Sequence, residues 1–220
     1  MKDLPPYYYV LIAGLIAGAL IYFKKRSNYY LIGLTIFLLV TLIVELIGRK
    51  INLQHNSRRD TTVLYNWFTS FEFTFYIWLL REVANKKLAK RVFLYILLAY
   101  PLAAAYNILF AQGTHGFHTV TYAIGCLLVV PMSIYYFFEL FLGAKSARLL
   151  TQPAFWICSG LLFFYCCSFL IFGLSNFVKS LPRVIVLNLQ DIISWMNAFL
   201  YSMFTIAFLC RIKIKKSSQS

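Results

Sequence analysis

Seven long apolar runs, parted by short and mostly basic connections, constrain this chain more than any other feature. Each run approaches the roughly 20 residues that a helix needs to cross a bilayer core. Together they use up most of the 220 residues. The runs cover about residues 6–23, 29–48, 61–80, 92–110, 119–142, 153–174 and 184–209. In lipid a backbone must satisfy its own polar groups, so runs of this length predict helices. The expected fold is therefore an all-α integral membrane protein, one seven-transmembrane-helix bundle spanning residues 1–220. Composition agrees: 61% of residues are hydrophobic and 13% charged, against about 45–50% and about 25% in soluble domains.

A net charge of +14 would suggest nucleic acid in a soluble chain. Here the basic residues lie between the apolar runs, which is the positive-inside pattern, and membrane lipids are the expected counter-charge. No nucleic-acid partner is expected. With the N-terminus outside, the inner segments hold fourteen Lys and Arg and the outer ones seven. That asymmetry predicts N-terminus out and C-terminus cytoplasmic, in a cell membrane. The polar stretch 49–60 reads as the longest outer connection, and 81–91 as the densest basic inner one. The five cysteines, at 126, 158, 166, 167 and 210, fall in or at the ends of runs, where buried free thiols are expected.

One residue breaks the third run. Glu72 stands midway along Leu64-Tyr-Asn-Trp-Phe-Thr-Ser-Phe-Glu-Phe-Thr-Phe-Tyr-Ile-Trp78, where an acid costs about 2.5–3.5 kcal/mol and must face the interior, find a partner or be protonated. Tyr65, Thr69, Glu72 and Tyr76 follow at steps of four, three and four, so they share one helical stripe. In the seventh run Asn188, Asp191, Trp195 and Ser202 share another. Each stripe offers one carboxylate. If their helices are neighbours, Glu72 and Asp191 form a paired-acid site able to share a proton or to hold a cation or polar ligand. If they are not, Glu72 is left with Tyr100, Tyr106 or Asn107.

Other constellations offer less chemistry. Glu45 precedes Arg49 by one turn, as an interfacial ion pair would. His115 and His118 stand at metal-binding spacing, with His55 on another outer segment, but loop histidines with ordinary solvation suffice, and no metal or other cofactor is expected. No lysine lies between residues 184 and 210, so a retinal Schiff base has no anchor in that run. Gly14 and Gly18 make a small-xxx-small pair suited to close helix approach. Pro101 and Pro131 sit inside runs, where they would kink helices and open room for a pocket. Gln152-Pro153 is a natural helix start.

Gln152-Pro-Ala-Phe-Trp-Ile-Cys-Ser-Gly-Leu-Leu-Phe-Phe-Tyr165, Leu187-Asn-Leu-Gln-Asp-Ile-Ile-Ser-Trp-Met-Asn197 and Ala207-Phe-Leu-Cys-Arg211 resemble the seven-helix membrane regions associated with sensor histidine kinases of Bacteroidota. The resemblance implies a membrane sensor. No kinase domain follows Cys210 and no inner phosphoacceptor histidine is present, so the signal is expected to pass to a separate protein such as a histidine kinase. The functional expectation is a receptor-like, non-enzymatic accessory protein that binds a small ligand through Glu72, Asp191, Asn188, Trp195, Tyr65, Thr69, Tyr76 and Asn107. The alternative is a small transporter or channel using Glu72 and Asp191 as a proton or cation relay.

Overall fold

The computed structural model describes residues 4–22, 28–55, 58–111, 116–142, 149–173 and 188–217. These residues form seven α-helices and no strand. The helices are α1 (Pro6–Tyr22), α2 (Tyr29–His55), α3 (Arg58–Val83), α4 (Lys87–Tyr106), α5 (Thr119–Leu142), α6 (Pro153–Ser168) and α7 (Leu189–Ser217). Two of them end in a π-helical turn, α4 over Asn107–Ala111 and α6 over Phe169–Gly173.

Five helical stretches are long and apolar enough to cross a membrane: Tyr29–Leu53, Lys87–Ala111, Thr119–Leu142, Pro153–Phe172 and Leu189–Arg211. The first helix is apolar but short. The third is long enough, yet Asn66, Ser70, Glu72 and several Tyr and Trp lower its hydropathy. The outside of the helices is apolar in stripes at helical spacing: Tyr9, Ile12, Ile16 and Leu20 on α1, and Ile124, Leu127, Ile134, Phe138 and Phe141 on α5, are all exposed. Thr41, Thr61, Asn66, Thr121, Ser133, Glu139 and Ser168 are buried instead. Apolar residues outside and polar ones inside is the arrangement that a membrane-embedded protein presents.

Hydroxyls inside these helices turn back on their own backbone. Thr35, Ser70, Thr74, Ser159, Ser202 and Thr205 each donate to the carbonyl four residues earlier, at 2.7–3.0 Å. A Ser or Thr satisfied this way costs an apolar helix little. The helices run past the ends of several apolar runs, because hydropathy reports the lipid boundary while helical hydrogen bonding continues beyond it. Most of stretch 49–60, expected to be a connecting loop, is accordingly the end of α2 and the start of α3. Thr61 Oγ1 donates to Asn52 Oδ1 at 3.0 Å and so ties the two ends together.

The chain divides into two compact units, and α2, α5 and α6 each contribute residues to both. In the first unit α1 packs on α7. A Cβ added at Gly14 would stand 3.1 Å from Thr205 Oγ1, and one at Gly18 would lie within 2.4 Å of Thr35 Oγ1. The Gly14/Gly18 pair thus serves packing inside the chain: Gly14 on α7, Gly18 on α2. Gly160 of α6 lies against Leu200 and Met203 of α7, and Phe163 rests on Phe199 with centroids 4.5 Å apart. Leu11, Leu31, Leu34, Phe37, Phe204 and Phe208 fill this core. Gln152 accepts from the backbone N–H of Phe155 at the start of α6, where Trp156 Nε1 also donates to Leu150 O at 2.9 Å. The five cysteines are free: Cys126 and Cys158 are buried, Cys167 and Cys210 half-buried, and Cys166 is exposed rather than buried as expected.

The second unit comprises the later half of α2, α3, α4 with its π turn, the first half of α5 and residues 165–173. Its centre is Phe73, fully buried. The Phe73 ring lies 5.9 Å from Tyr100, 5.4 Å from Tyr122 and 4.9 Å from Tyr165, centroid to centroid. It rests on the backbone of Gly125, where a Cβ would stand 2.5 Å from the ring. Helix α4 continues through Pro101 and α5 through Pro131.

Candidate functional site

Glu72 projects from the middle of α3, one residue before Phe73, among side chains of the second unit. As a residue it is half-buried. Tyr165 on α6 and Tyr76 on α3 are its hydroxyl-bearing neighbours. Tyr76 and Tyr165 are themselves packed edge to face at 5.7 Å. Glu45, Tyr100, Tyr122 and Cys126 are also within electrostatic range of the acid. The charge of one carboxylate is therefore felt by groups carried by α2, α4, α5 and α6 as well as by its own helix.

Local sequence explains why α3 delivers these groups together. The steps separating Tyr65, Thr69, Glu72 and Tyr76 keep them on one face, and the structure turns that face inward: Tyr76 is buried, and the other three are half-buried. The opposite side carries the exposed Trp67 and Phe71. Tyr65 Oη donates to Glu45 Oε2 on α2 at 3.2 Å. Gly48, one turn along α2, makes room for it, since a Cβ there would lie 2.7 Å from the Tyr65 hydroxyl. Glu45, expected as an interfacial partner of Arg49, also accepts from α3.

A second polar cluster holds the start of α5. Asn66 is 4% exposed, and both ends of its amide are used: Nδ2 donates to Gly116 O at 2.8 Å and Oδ1 accepts from the His118 backbone N–H at 3.1 Å. Asn107, in the π turn after α4, donates to Thr121 Oγ1 at 2.6 Å, and Tyr100 Oη donates to Thr121 O at 3.4 Å. Phe172, in the π turn after α6, packs tilted on Phe117 and edge to face on Tyr122, with centroids 6.0 and 5.5 Å apart. π turns shift side chains out of the α register. Here one carries Asn107 and the other Phe172 toward the same helix start.

The seventh-helix stripe behaves differently from expectation. Asn188, Asp191 and Trp195 are exposed, and Ser202 donates to Ala198 O within its own helix. Asp191 occupies the first turn of α7, where a negative charge meets the positive end of the helix dipole. Asp191 is exposed, at the start of α7 in the first unit. Of the remaining possible partners of Glu72, Tyr100 is within its electrostatic range, Asn107 is used by Thr121, and Tyr106 is exposed.

His118 is buried beside Asn66, while His115 and the side chain of His55 lie outside the described residues. Among the described residues no group of three His, Cys, Asp or Glu is placed to hold a metal ion.

The residues missed in the sequence are Tyr165, Tyr122, Cys126 and Glu45. A weak signal existed for α5, where His118, Tyr122 and Gly125 follow at the same four-and-three spacing as the α3 stripe. Tyr165 and Ser168 make a shorter pair on α6. No known protein family, curated protein or solved structure matches the chain.

Proposed function

We propose that this chain is a membrane-embedded, receptor-like protein that binds a small organic cation at Glu72 and passes the binding event to a separate protein. The observation that carries the reading is the setting of Glu72: a half-buried glutamate in the middle of an apolar helix, with tyrosines of α3, α4, α5 and α6 within electrostatic range of it. A carboxylate supplies the counter-charge of a cation, and aromatic faces supply attraction to it, each worth most where water is scarce. Four helices meeting at one acid also give an occupant something to move, which is what a receptor needs. In this reading all seven helices span the bilayer, with the N-terminus outside and the C-terminus in the cytoplasm. A bacterial inner membrane and a histidine kinase partner follow from the resemblance of the last third of the chain. The alternative, a relay through Glu72 and Asp191, gains no support from an Asp191 that is exposed.

Titration of the purified protein in detergent with tetraalkylammonium ions, followed by tryptophan fluorescence, tests the binding. Saturable binding that weakens about tenfold or more in Glu72→Gln is expected, the loss for a charged group stripped of its partner. Equal binding by wild type and Glu72→Gln, or no saturable binding, would sink the reading.

A further inference from the structure

Polar groups continue from the Glu72 site along the facing sides of α2 and α3. Where the two helices meet, Thr61 Oγ1 donates to Asn52 Oδ1 at 3.0 Å. One turn further along α3, Tyr65 Oη donates to Glu45 Oε2 at 3.2 Å, over the bare backbone of Gly48. The pairings 52 with 61 and 45 with 65 make the helices antiparallel. Four residues beyond Glu45 and Tyr65 stand Thr41, which is buried, and Thr69, which is half-buried. Glu72 follows one turn later. Glu45 is near enough for its charge to be felt at Glu72.

A seam meant only to hold two helices together needs hydroxyls and amides, and here Asn52, Thr61, Thr41 and Thr69 supply them. Two carboxylates on the same seam are a larger expense, since each acid is costly inside a membrane. Acids spaced along a line of hydroxyls are what proton relays are made of. We propose that the α2–α3 seam is a proton path joining Glu72 to the end where α2 and α3 meet, with Glu45 as its intermediate carrier and Tyr65 as the residue that positions Glu45.

The transfer balances simply. A proton from water at the Asn52–Thr61 end forms an O–H bond on the Glu45 carboxylate. That bond breaks as an O–H bond forms on Glu72, through a hydroxyl or a water molecule at the level of Thr41 and Thr69. Glu45 returns to a carboxylate, and one proton has moved. Among the described residues the titratable groups around Glu72 are Glu45 from α2, Tyr76 from α3, Tyr100 from α4, Tyr122 and Cys126 from α5, and Tyr165 from α6, with Tyr65 of α3 beside Glu45. Among these described groups Glu45 is the one carboxylate. The inference rests on Glu72 as the cation-binding group and adds its regulation: a proton and an organic cation exclude each other there.

Infrared spectroscopy of the full chain in lipid nanodiscs tests this. The protonated-carboxyl band that disappears in Glu72→Gln reports Glu72, and its shift after transfer to heavy water gives the rate of proton exchange. Exchange is expected to slow about tenfold or more in Glu45→Gln and in Tyr65→Phe, the consequence of losing one hydrogen-bonded carrier or its positioning. Glu82→Gln, beside Arg81 at the far end of α3, is expected to exchange like wild type. Tyr65→Phe keeps the ring over Gly48, so a folding defect is not expected to confound it. Equal exchange in wild type, Glu45→Gln and Tyr65→Phe overturns the path. So does a carboxyl band indifferent to Glu72→Gln. Tetraalkylammonium binding in Glu45→Gln separates the two ideas: binding that persists while exchange slows supports the path. Slowed exchange in a protein that binds no organic cation leaves the path standing and removes the ligand reading alone.

Discussion

Gly125 shows how the site depends on a side chain being absent. The Phe73 ring lies flat where a Cβ would be, 2.5 Å away, and the ring in turn holds Tyr100, Tyr122 and Tyr165 at stacking distances. Gly125→Ala must push the ring outward, and overpacking of this kind costs about 1–3 kcal/mol. The variant is expected to lose several degrees of thermal midpoint in detergent, and Phe73→Leu in the same chain to recover part of it. An unchanged midpoint for Gly125→Ala alone would show that the ring moves freely. Glu72 was visible in the sequence because an acid in an apolar run has few neutral explanations. Its α3 companions were visible through helical spacing. Tyr165 and Tyr122 were not, since one tyrosine among sixteen carries no mark of the direction it faces. Glu45 has Arg49 one turn away as a local explanation, so its bond to Tyr65 on another helix carries no mark in the sequence, and helical spacing does not reveal that Asp191 sits in a helix's first turn.

Helix α1 poses a separate question among the elements, because its 17 residues fall short of the roughly 20 needed to cross a bilayer core comfortably. Packing must hold it in place. Gly14 and Gly18 let it approach α7 and α2 closely, with Thr205 and Thr35 in the space their side chains would need. Gly18→Ala puts a methyl against Thr35 and is expected to destabilise the protein by about 1–3 kcal/mol. Thr35→Ala removes both atoms nearest that methyl, the hydroxyl at 2.4 Å and the Cγ2 at 2.9 Å. The double variant should therefore be more stable than Gly18→Ala alone in a thermal unfolding series in detergent, a coupling that distant sites do not show. Additive effects would mean that the two helices do not meet there. Element existence was legible from run length alone. Element ends were not: α2 continues to His55 and α3 starts at Arg58, because Arg49, Lys50 and Asn52 are good enough helix residues outside the apolar stretch.

The whole molecule turns on α3, among the described helices the one long enough to cross a membrane that is not apolar enough by composition. Its polar stripe faces α2 and the tyrosine cluster, and its exposed side offers Trp67 and Phe71 to the surroundings. A helix whose polar side is covered by neighbours needs only its outer face to be apolar, so α3 is expected to cross the membrane. Charge asymmetry does not decide the matter. With seven spans the basic residues divide fourteen inside and seven outside; if α1 and α3 did not cross, the division would be fifteen and six, an equally strong bias. The two topologies differ in where the ends of α3 lie. Leu53 and Asn85, both exposed, stand on opposite sides if α3 crosses and on the same side if it does not. In a cysteine-free full chain, Leu53→Cys is expected to react with a membrane-impermeant maleimide in intact cells, and Asn85→Cys only after permeabilisation. Identical labelling of the two positions would take α3 out of the bilayer. Glu72 would then lie outside the lipid that makes an acid costly, and the physical case for a binding carboxylate and its proton path would go with it.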